Sequence, residues 1–343
     1  EADTERAVEV GLLLRGGATN SREGWGFLPP TETDNEVECS LATRGVVLHT
    51  ARHSAAVLAQ GIAGGESHFD GRLLRCSVDV APGRPARVDL VAVLASDRES
   101  ALETVAALAQ DVTAQFDLAR RRWNEELRIA FTPHNSTYSG WLPELHTSDV
   151  AIQKLYNLAV AGLIYFRRDV PASTHGRAWD TLMPRFWGTV TFLWDYHLSS
   201  LAHALLDPVV MRENLERWMN VDIHQHFGTE YLRGSGVGMW YAVNDYAMVA
   251  MASDYVNWSG DRAWLQRSAP GREQAVVDVL TEYAQQWRGF RTPSGLADYG
   301  EIGNLLECVP TYIHEVASLN AANVWSLRAV ASMLDDQPRA TAL

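Results

Sequence analysis

Short runs of alternating hydrophobic and polar residues occur over residues 1–95, and this alternation is typical of β-strands. Four runs fit strands, at residues 8–14, 37–41, 73–80 and 86–93, with the turn sequence Pro-Gly-Arg-Pro at 82–85 between the last two. Several short strands separated by turn residues indicate two antiparallel sheets packed face to face. We therefore expect residues 1–95 to form an antiparallel β-sandwich domain.

The hydrophobic spacing changes to a helical period after residue 95. Asp97 or Ser100 can cap a helix whose apolar residues recur at helical spacing to about residue 127, so residues 96–144 are predicted to be a helical linker. Residues 145–343 then read as paired helices packed around an axis, which makes the expected fold class α+β and multidomain, with an α/α toroid. Its helices are predicted at 148–167, 191–206, 208–224, 243–258, 270–289 and 314–335.

Composition and charge narrow the range of functions. The 343 residues are 47% hydrophobic and 21% charged, which is ordinary for a globular protein. A net charge of −13 argues against nucleic acid or an anionic membrane surface as a partner. The sequence contains no 18-residue apolar run of the kind that would predict a membrane-spanning helix. Three scattered cysteines are too few for a disulfide framework or a cysteine-based zinc site. Unpaired cysteines and a polar N-terminus favour the cytoplasm, although the sequence does not fix the compartment.

The first stretch with candidate chemistry is aromatic and covers residues 186–197. It contains Trp187, Trp194 and Asp195. The apolar face of a sugar ring stacks on an indole, and a carboxylate accepts hydrogen bonds from paired hydroxyls, so these three residues are candidates for sugar binding. The alternative is a core tryptophan beside an aspartate that stabilises a helix N-terminus.

The second stretch, residues 227–246, is a loop with four glycines. It carries Glu230, Trp240, Tyr241, Asn244 and Asp245. A loop of this composition is more often functional than a simple connector, and it lacks the Gly-Lys-Ser/Thr of a phosphate-binding loop. We expect Trp240, Tyr241, Asn244 and Asp245 to contact substrate.

The third stretch, residues 295–308, places three carboxylates within ten residues. They belong to Asp298, Glu301 and Glu307, and Tyr299 lies among them as a further candidate for substrate binding. Glu307 follows two leucines, and an apolar setting would raise its pKa and favour a proton-donating acid. The alternative is a solvated acidic loop.

No cofactor or metal is expected. His224 and His226 form a His-x-His motif near Glu230, but no third ligand is secure. No Gly-x-Ser-x-Gly elbow is present, which argues against a serine hydrolase.

Together these stretches resemble the (α/α)6 six-hairpin glycosidases and glycoside phosphorylases, of the maltose and cellobiose phosphorylase, mannosylglycerate hydrolase and processing α-glucosidase types. Phe-Leu-Trp-Asp at 192–195, followed by Leu-Asp-Pro at 206–208, is similar to their sugar-binding Trp-Asp segment. The resemblance covers roughly residues 95–335 and implies a β-sandwich, a linker helix and a toroid. A complete toroid has twelve helices, so the six predicted here correspond to its first half. This leaves open a homo-oligomer or a missing C-terminal half.

The resemblance also implies where the general acid lies, in the loop between the fifth and sixth helices, which here is 290–313. Glu307 is placed like the acid of several families. Ala-Asp-Tyr-Gly-Glu at 297–301 instead resembles the Ala-Asp-Trp-Asn-Asp stretch of cellobiose-type phosphorylases, which points to Asp298. Glu307 is favoured. In hydrolases of this type the general base usually comes from the second half of the toroid.

The leading hypothesis is therefore a glycoside hydrolase that cleaves a di- or oligosaccharide by an inverting acid/base mechanism. Glu307 or Asp298 would be the acid, and Glu230 is a further polar contact or, as a weaker candidate, the base. One alternative is an inverting glycoside phosphorylase, with Arg233 and Ser235 as candidates for phosphate binding. A second is a non-catalytic carbohydrate-binding protein. A terpenoid cyclase is disfavoured because neither its acidic initiating motif nor a metal-binding Asp cluster is present.

Overall fold

The chain combines α-helices with small antiparallel sheets and divides into two compact units between Trp123 and Asn124. A computed structural model describes residues 8–14, 35–40, 45–51, 54–70, 73–170, 173, 176–179, 181, 190–230, 233–301 and 311–343. The division falls inside a helix within residues 96–144, and the domain boundaries given above stay predictions.

The described part of the first unit contains two antiparallel sheets. One has the order β1-β6-β5, with β1 at Val8–Leu14, β6 at Leu74–Val80 and β5 at Glu66–Phe69. The other has the order β2-β3-β4-β7, with strands at Asn35–Ser40, Val46–Ala51, Ser54–Ala63 and Asp89–Ala95. The predicted strands at 8–14, 37–41 and 73–80 are close to β1, β2 and β6. The strand predicted at 86–93 begins three residues later, and β3, β4 and β5 were not predicted.

Helix α1, at Arg98–Gln110, packs on the four-stranded sheet. Side chains two residues apart on a strand share a face, so Val46 with Leu48 and Val57 with Ala59 form one buried surface under Ala101 and Val105 of the helix. Asp97 caps α1 by accepting a hydrogen bond from the Ser100 amide at 2.8 Å. The packed face of this sheet is therefore covered by the helix that follows it.

The single helix predicted from Ser96 to Leu127 is in fact two helices. Helix α1 ends at Asp111, and α2 begins directly after it and covers Val112–Ala130. The Asp111 carboxylate accepts a hydrogen bond from the Ala114 amide at 2.9 Å, which caps α2 and stops α1. Hydrophobic periodicity continues across the break, which is why the sequence alone does not show it.

The second unit is mainly helical and is close to the predicted helix pattern. The predicted helix 191–206 is divided at Ser199, and the one predicted at 270–289 starts later, at residue 276. Helices α3 to α10 lie at Val150–Tyr165, Leu193–Leu198, Ser200–Leu206, Pro208–Asn220, Asn244–Ser259, Val276–Gln285, Ala317–Met333 and Gln337–Thr341. Short 3-10 helices cover Arg262–Gln266 and Gln286–Phe290.

Short strands connect some of these helices. Strands β8, at Arg167–Asp169, and β9, at Arg177–Trp179, form a two-stranded sheet. Strands β10, β11 and β12, at Val190–Phe192, Gly228–Glu230 and Gly236–Val237, form a three-stranded one. In the latter sheet Phe192 pairs with Gly228, so the start of α4 is tied to the segment that leads towards α7.

Helix α7 lies at the centre of the second unit. It packs against α4, α5, α6, α8 and α9, and nine of its residues are buried. The surrounding core includes the fully buried indoles of Trp179, Trp218 and Trp264. A helix buried on nearly all sides has a fixed position, so the residues at its N-terminus are held rigidly. Among the described residues, no helix is long and apolar enough to cross a membrane.

Candidate functional site

The three stretches singled out in the sequence meet in one aromatic cluster. Trp194 comes from the first turn of α4, Trp240 and Tyr241 from the segment before α7, and Tyr299 from the loop before α9. The cluster therefore lies where the N-terminal ends of three helices come together. Its other aromatic members are Tyr246, Trp287, Phe290 and Tyr312.

Stacked rings fix the segment that carries Tyr241. The ring of Phe227 stacks on Phe192 with centroids 5.2 Å apart and on Tyr241 at 4.9 Å. Tyr241 is thus the end of a three-ring stack that joins β10 and β11 to the start of α7. The predicted role of Tyr241 in substrate contact stays a prediction, while its packing role is seen directly.

Two glycines in this segment are required by ring packing. A Cβ at Gly236 would lie 2.2 Å from a ring carbon of His226, and a Cβ at Gly238 would lie 2.1 Å from the ring of Phe227. Gly238 also has a φ of 81°, a conformation that side chains disfavour. The glycine-rich composition therefore reflects close packing under the aromatic cluster.

Trp240 packs against two other rings, which also contact each other. Its indole stacks on Phe290 at 5.2 Å and 15°, and Tyr299 lies 6.5 Å away at a tilt. The Tyr299 phenol is buried and donates to Asn323 Oδ1 at 3.0 Å, and burial raises its pKa to about 12. Trp240 is part-exposed, so it remains open to a ligand, whereas Tyr299 supports it from inside.

Asp195 is a half-buried carboxylate in the first turn of α4. Burial raises its pKa, and the hydrogen bond from its own backbone amide opposes that effect. The neighbouring Trp194 stacks on His197 with centroids 5.2 Å apart. An indole and a carboxylate are therefore both carried by the first turn of this helix, and their role in sugar binding stays a prediction.

Asp245 occupies the equivalent place at the start of α7 and is paired with His224. The distance from His224 Nε2 to Asp245 Oδ1 is 2.8 Å. Burial raises the pKa of Asp245, and the hydrogen bond with His224 counteracts part of that rise. Burial lowers the pKa of His224, but the bond to Asp245 and the nearby carboxylates outweigh it, so the pKa is raised. Each of the two groups therefore favours the charged form of the other.

Asn244 does not contact solvent. It is fully buried, and its Nδ2 donates to the backbone carbonyls of Ile223 at 2.7 Å and His226 at 3.1 Å. These two bonds make Asn244 a brace between α7 and the segment before β11, and its contact with substrate stays a prediction. The sequence could not separate the two roles, since both place a polar residue at a helix start.

Asp298 lies in an exposed ionic environment. Its carboxylate accepts from the Gly300 amide at 2.8 Å, and His314 Nδ1 is 3.2 Å away. The hydrogen bond from Gly300 and the nearby His314 lower the pKa of Asp298 against a small effect of burial. A carboxylate with a lowered pKa stays ionised at neutral pH, which is unfavourable for donating a proton.

Glu230 lies at the end of β11 and takes part in the following turn. Its Oε2 accepts from the Arg233 amide at 2.8 Å, and its backbone amide donates to the carbonyl of Ser235 at 2.9 Å. Glu307 and Trp187 lie outside the described residues. Their predicted roles therefore rest on the sequence.

Several residues of the site carried no clear signal in the sequence. The imidazole of His224 belongs to a motif considered for metal binding, yet it pairs with a carboxylate 21 residues away. Phe290 and Trp325 line the cluster or its edge without a recognisable motif. Only their contacts across the fold identify them.

Comparison with known proteins gives only distant structural similarity. No family model matches the chain, and no curated protein matches it. A solved structure named "Putative kojibiose phosphorylase from human microbiome" aligns with 98% of this chain and 46% of its own, at 8% identity and a TM-score of 0.44. The chain thus spans about half the length of that protein. A similarity of this size assigns neither family nor activity, so the site carries the functional argument.

Proposed function

We propose that this protein is a carbohydrate-active enzyme, and specifically a glycoside hydrolase that acts by an inverting acid/base mechanism. One observation carries the proposal. Three separate stretches form a single aromatic cluster at the N-termini of α4, α7 and α9, and two of these helix ends hold a carboxylate whose pKa is raised by burial. On this proposal, α4 to α9 are helices of an α/α toroid.

The chemistry of sugar recognition matches these groups. A pyranose offers an apolar face to an indole and a rim of hydroxyls to hydrogen-bond acceptors. Trp194 and Trp240 provide the indoles, while Asp195 and Asp245 provide acceptors in the first turns of two of the helices that meet there. His224 would hold the Asp245 carboxylate in one orientation, which reduces the entropy lost on binding.

The general acid is assigned to Glu307 in preference to Asp298. An acid at neutral pH needs a raised pKa, and the contacts of Asp298 lower its pKa instead. In an inverting reaction a second carboxylate activates water about 6.5–9.5 Å from the acid, across the scissile bond. Glu230 stays a candidate for that role. Acting as the base would require it to break or share the hydrogen bond that it accepts from the Arg233 amide.

The test is a panel of α- and β-linked disaccharides, incubated with and without phosphate, with the product anomer read by NMR. Free sugar of inverted configuration without phosphate is the expected result. Sugar phosphate formed only with phosphate would instead establish a glycoside phosphorylase, and binding without any product would indicate a carbohydrate-binding protein.

Two carboxamide variants locate the acid. Glu307→Gln is expected to abolish turnover while sugar binding survives, and Asp298→Asn is expected to retain turnover. Both substitutions keep the size of the side chain and remove only its proton-transfer chemistry. Full activity of the Glu307 variant would refute the assignment and move it to Asp298.

A further inference from the structure

A cavity of about 410 Å³ adjoins the aromatic cluster along the first turns of α7 and α9. It shares Trp194, Tyr246 and Tyr312 with that cluster, so the two are continuous. Its volume lies in the range of small-molecule sites. The described residues that line it are Trp194, Val243, Tyr246, Tyr312, Ser318, Leu319, Ala321, Ala322 and Trp325.

The aromatic walls of the cavity are braced by ring contacts. Tyr246 meets Trp325 edge to face at 5.5 Å and meets His197 in the same manner at 5.0 Å. His197 in turn stacks on Trp194. A continuous row of four rings thus runs from the candidate sugar site to the far side of the cavity. Such a row keeps its shape without a ligand.

The lining is mainly apolar. None of the described residues that line the cavity is charged, and the hydroxyls of Tyr312 and Ser318 are bonded to each other at 2.5 Å. A sugar ring in this space would give up hydrogen bonds to water and gain few in return. An aromatic ring or alkyl chain has no such cost and gains from burial.

Helix α9 contributes small side chains and one exposed indole to the wall of the cavity. Ala321 and Ala322 leave space that larger side chains would fill. Trp325 remains 42% exposed although it is among the largest apolar residues. A ligand in the cavity would cover this indole, which gives a physical reason for it to lie at the edge of a site.

We propose that this cavity binds the apolar aglycone of a glycoside, an aryl or alkyl group, while the adjoining cluster binds the sugar. The sugar part of this assignment rests on the proposed function, whereas the apolar part rests on the cavity alone. The substrate class then includes glycosides with a hydrophobic leaving group.

The test compares phenol, phenyl glucosides and methyl glucosides of both anomers as probes of the full chain, with dissociation constants from calorimetry or ligand-observed NMR. We expect phenyl glucosides to bind about tenfold or more tightly than the methyl glucosides, from burial of one ring. Phenol alone should bind weakly.

Two variants test the cavity. Trp325→Ala removes one wall and Ala322→Leu fills the space, so both should weaken the binding of phenol and phenyl glucosides about tenfold and leave the binding of methyl glucosides unchanged.

Trp258→Ala is the matched control, since Trp258 is also an exposed tryptophan but lies at the other end of α7. It should bind every probe as the wild type does. Equal phenol binding by the wild type and both cavity variants, or no phenol binding at all, would overturn the proposal. Circular dichroism of each variant confirms that it is folded.

The two proposals fail in different ways. If the cavity variants lose phenol binding while no glycoside is turned over, the cavity stands and the enzymatic function does not. If methyl and phenyl glycosides are turned over with the same KM, the glycosidase stands and the aglycone site is rejected.

Discussion

The environment of Asp245 has two opposing effects on the charge of its carboxylate. It combines a helix N-terminus, which favours a negative charge, with burial, which disfavours one. His224 lies between Asp222 and Asp245, at 3.6 Å and 2.8 Å, and the edge of its ring faces Tyr283. The positive charge of Arg272 lowers the pKa of this imidazole. We infer that His224 is a positioning residue that keeps Asp245 ionised for hydrogen bonding to substrate.

His224→Gln is therefore expected to shift the acidic limb of the pH profile of kcat/KM to higher pH. The substitution removes an interaction that lowers the pKa of Asp245, so this carboxylate becomes protonated at a higher pH than in the wild type. His146→Gln is the control, because that imidazole is 85% exposed and distant in sequence from the site. An unchanged limb in the His224 variant, or the same shift in the control, would contradict the inference.

At the scale of elements, the segment between β11 and α7 decides whether the site forms. Phe227 is packed between Phe192 and Tyr241, and Gly238 passes close to its ring. The backbone can make this approach only without a Cβ. The rings that result hold the start of α7 beside the start of α4.

Gly238→Ala is expected to destabilise the fold by about 2–4 kcal/mol, as the sum of a left-handed conformation and a clash with Phe227. Gly176→Ala is the matched control. Gly176 has a φ of 66°, but no atom of the described residues lies within 4 Å of its added Cβ, so about 1 kcal/mol is expected. Urea unfolding measures both. Equal losses in the two variants would show that the ring contact does not constrain the segment.

At the scale of the whole molecule, a buried histidine makes stability depend on pH. His203 is fully buried, and its ring stacks on Tyr196 with centroids 4.0 Å apart and lies against Trp179. Burial lowers its pKa from 6.5 to about 3. Between these values the unfolded chain binds a proton at this imidazole and the folded chain does not, so acid favours unfolding.

We expect the free energy of unfolding to fall as the pH drops from 6.5 towards 3, by up to about 1.4 kcal/mol per pH unit from His203 alone. His203→Phe keeps a ring in the stack and removes the proton site, so its stability should depend less on pH. Urea unfolding at several pH values measures the slope. A slope as steep as that of the wild type would assign the acid sensitivity to other groups.

The sequence predicted elements better than it predicted contacts. Hydrophobic periodicity located the helices of the second unit to within a few residues, but it passed over the breaks at Asp111 and Ser199, where the apolar spacing continues through the cap. Strands β3 and β4 were missed because Val46–Ala63 mixes hydrophobic residues with alanine and glycine and shows no clear alternation.

At the candidate site, too, the sequence predicted residues better than it predicted their contacts. The three stretches were identified because tryptophan, carboxylate and glycine are chemically conspicuous. The burial of Asn244 and the pairing of His224 with Asp245 depend on segments brought together by packing around α7, and no local pattern encodes such contacts. Likewise, the lowered pKa of Asp298 follows from Gly300 and from His314, which is 16 residues away.

The most direct test of the central claim is the affinity of a glycoside for the wild type, Trp240→Ala and Trp141→Ala, measured by calorimetry. Trp240 lies in the proposed sugar site, whereas Trp141 is a part-exposed tryptophan that contacts His134. We predict that the dissociation constant rises about tenfold or more for Trp240→Ala, from the loss of one stacking surface, and is unchanged for Trp141→Ala. Equal affinity of all three proteins, or no binding of any glycoside to the wild type, would contradict a carbohydrate site at the N-termini of α4, α7 and α9.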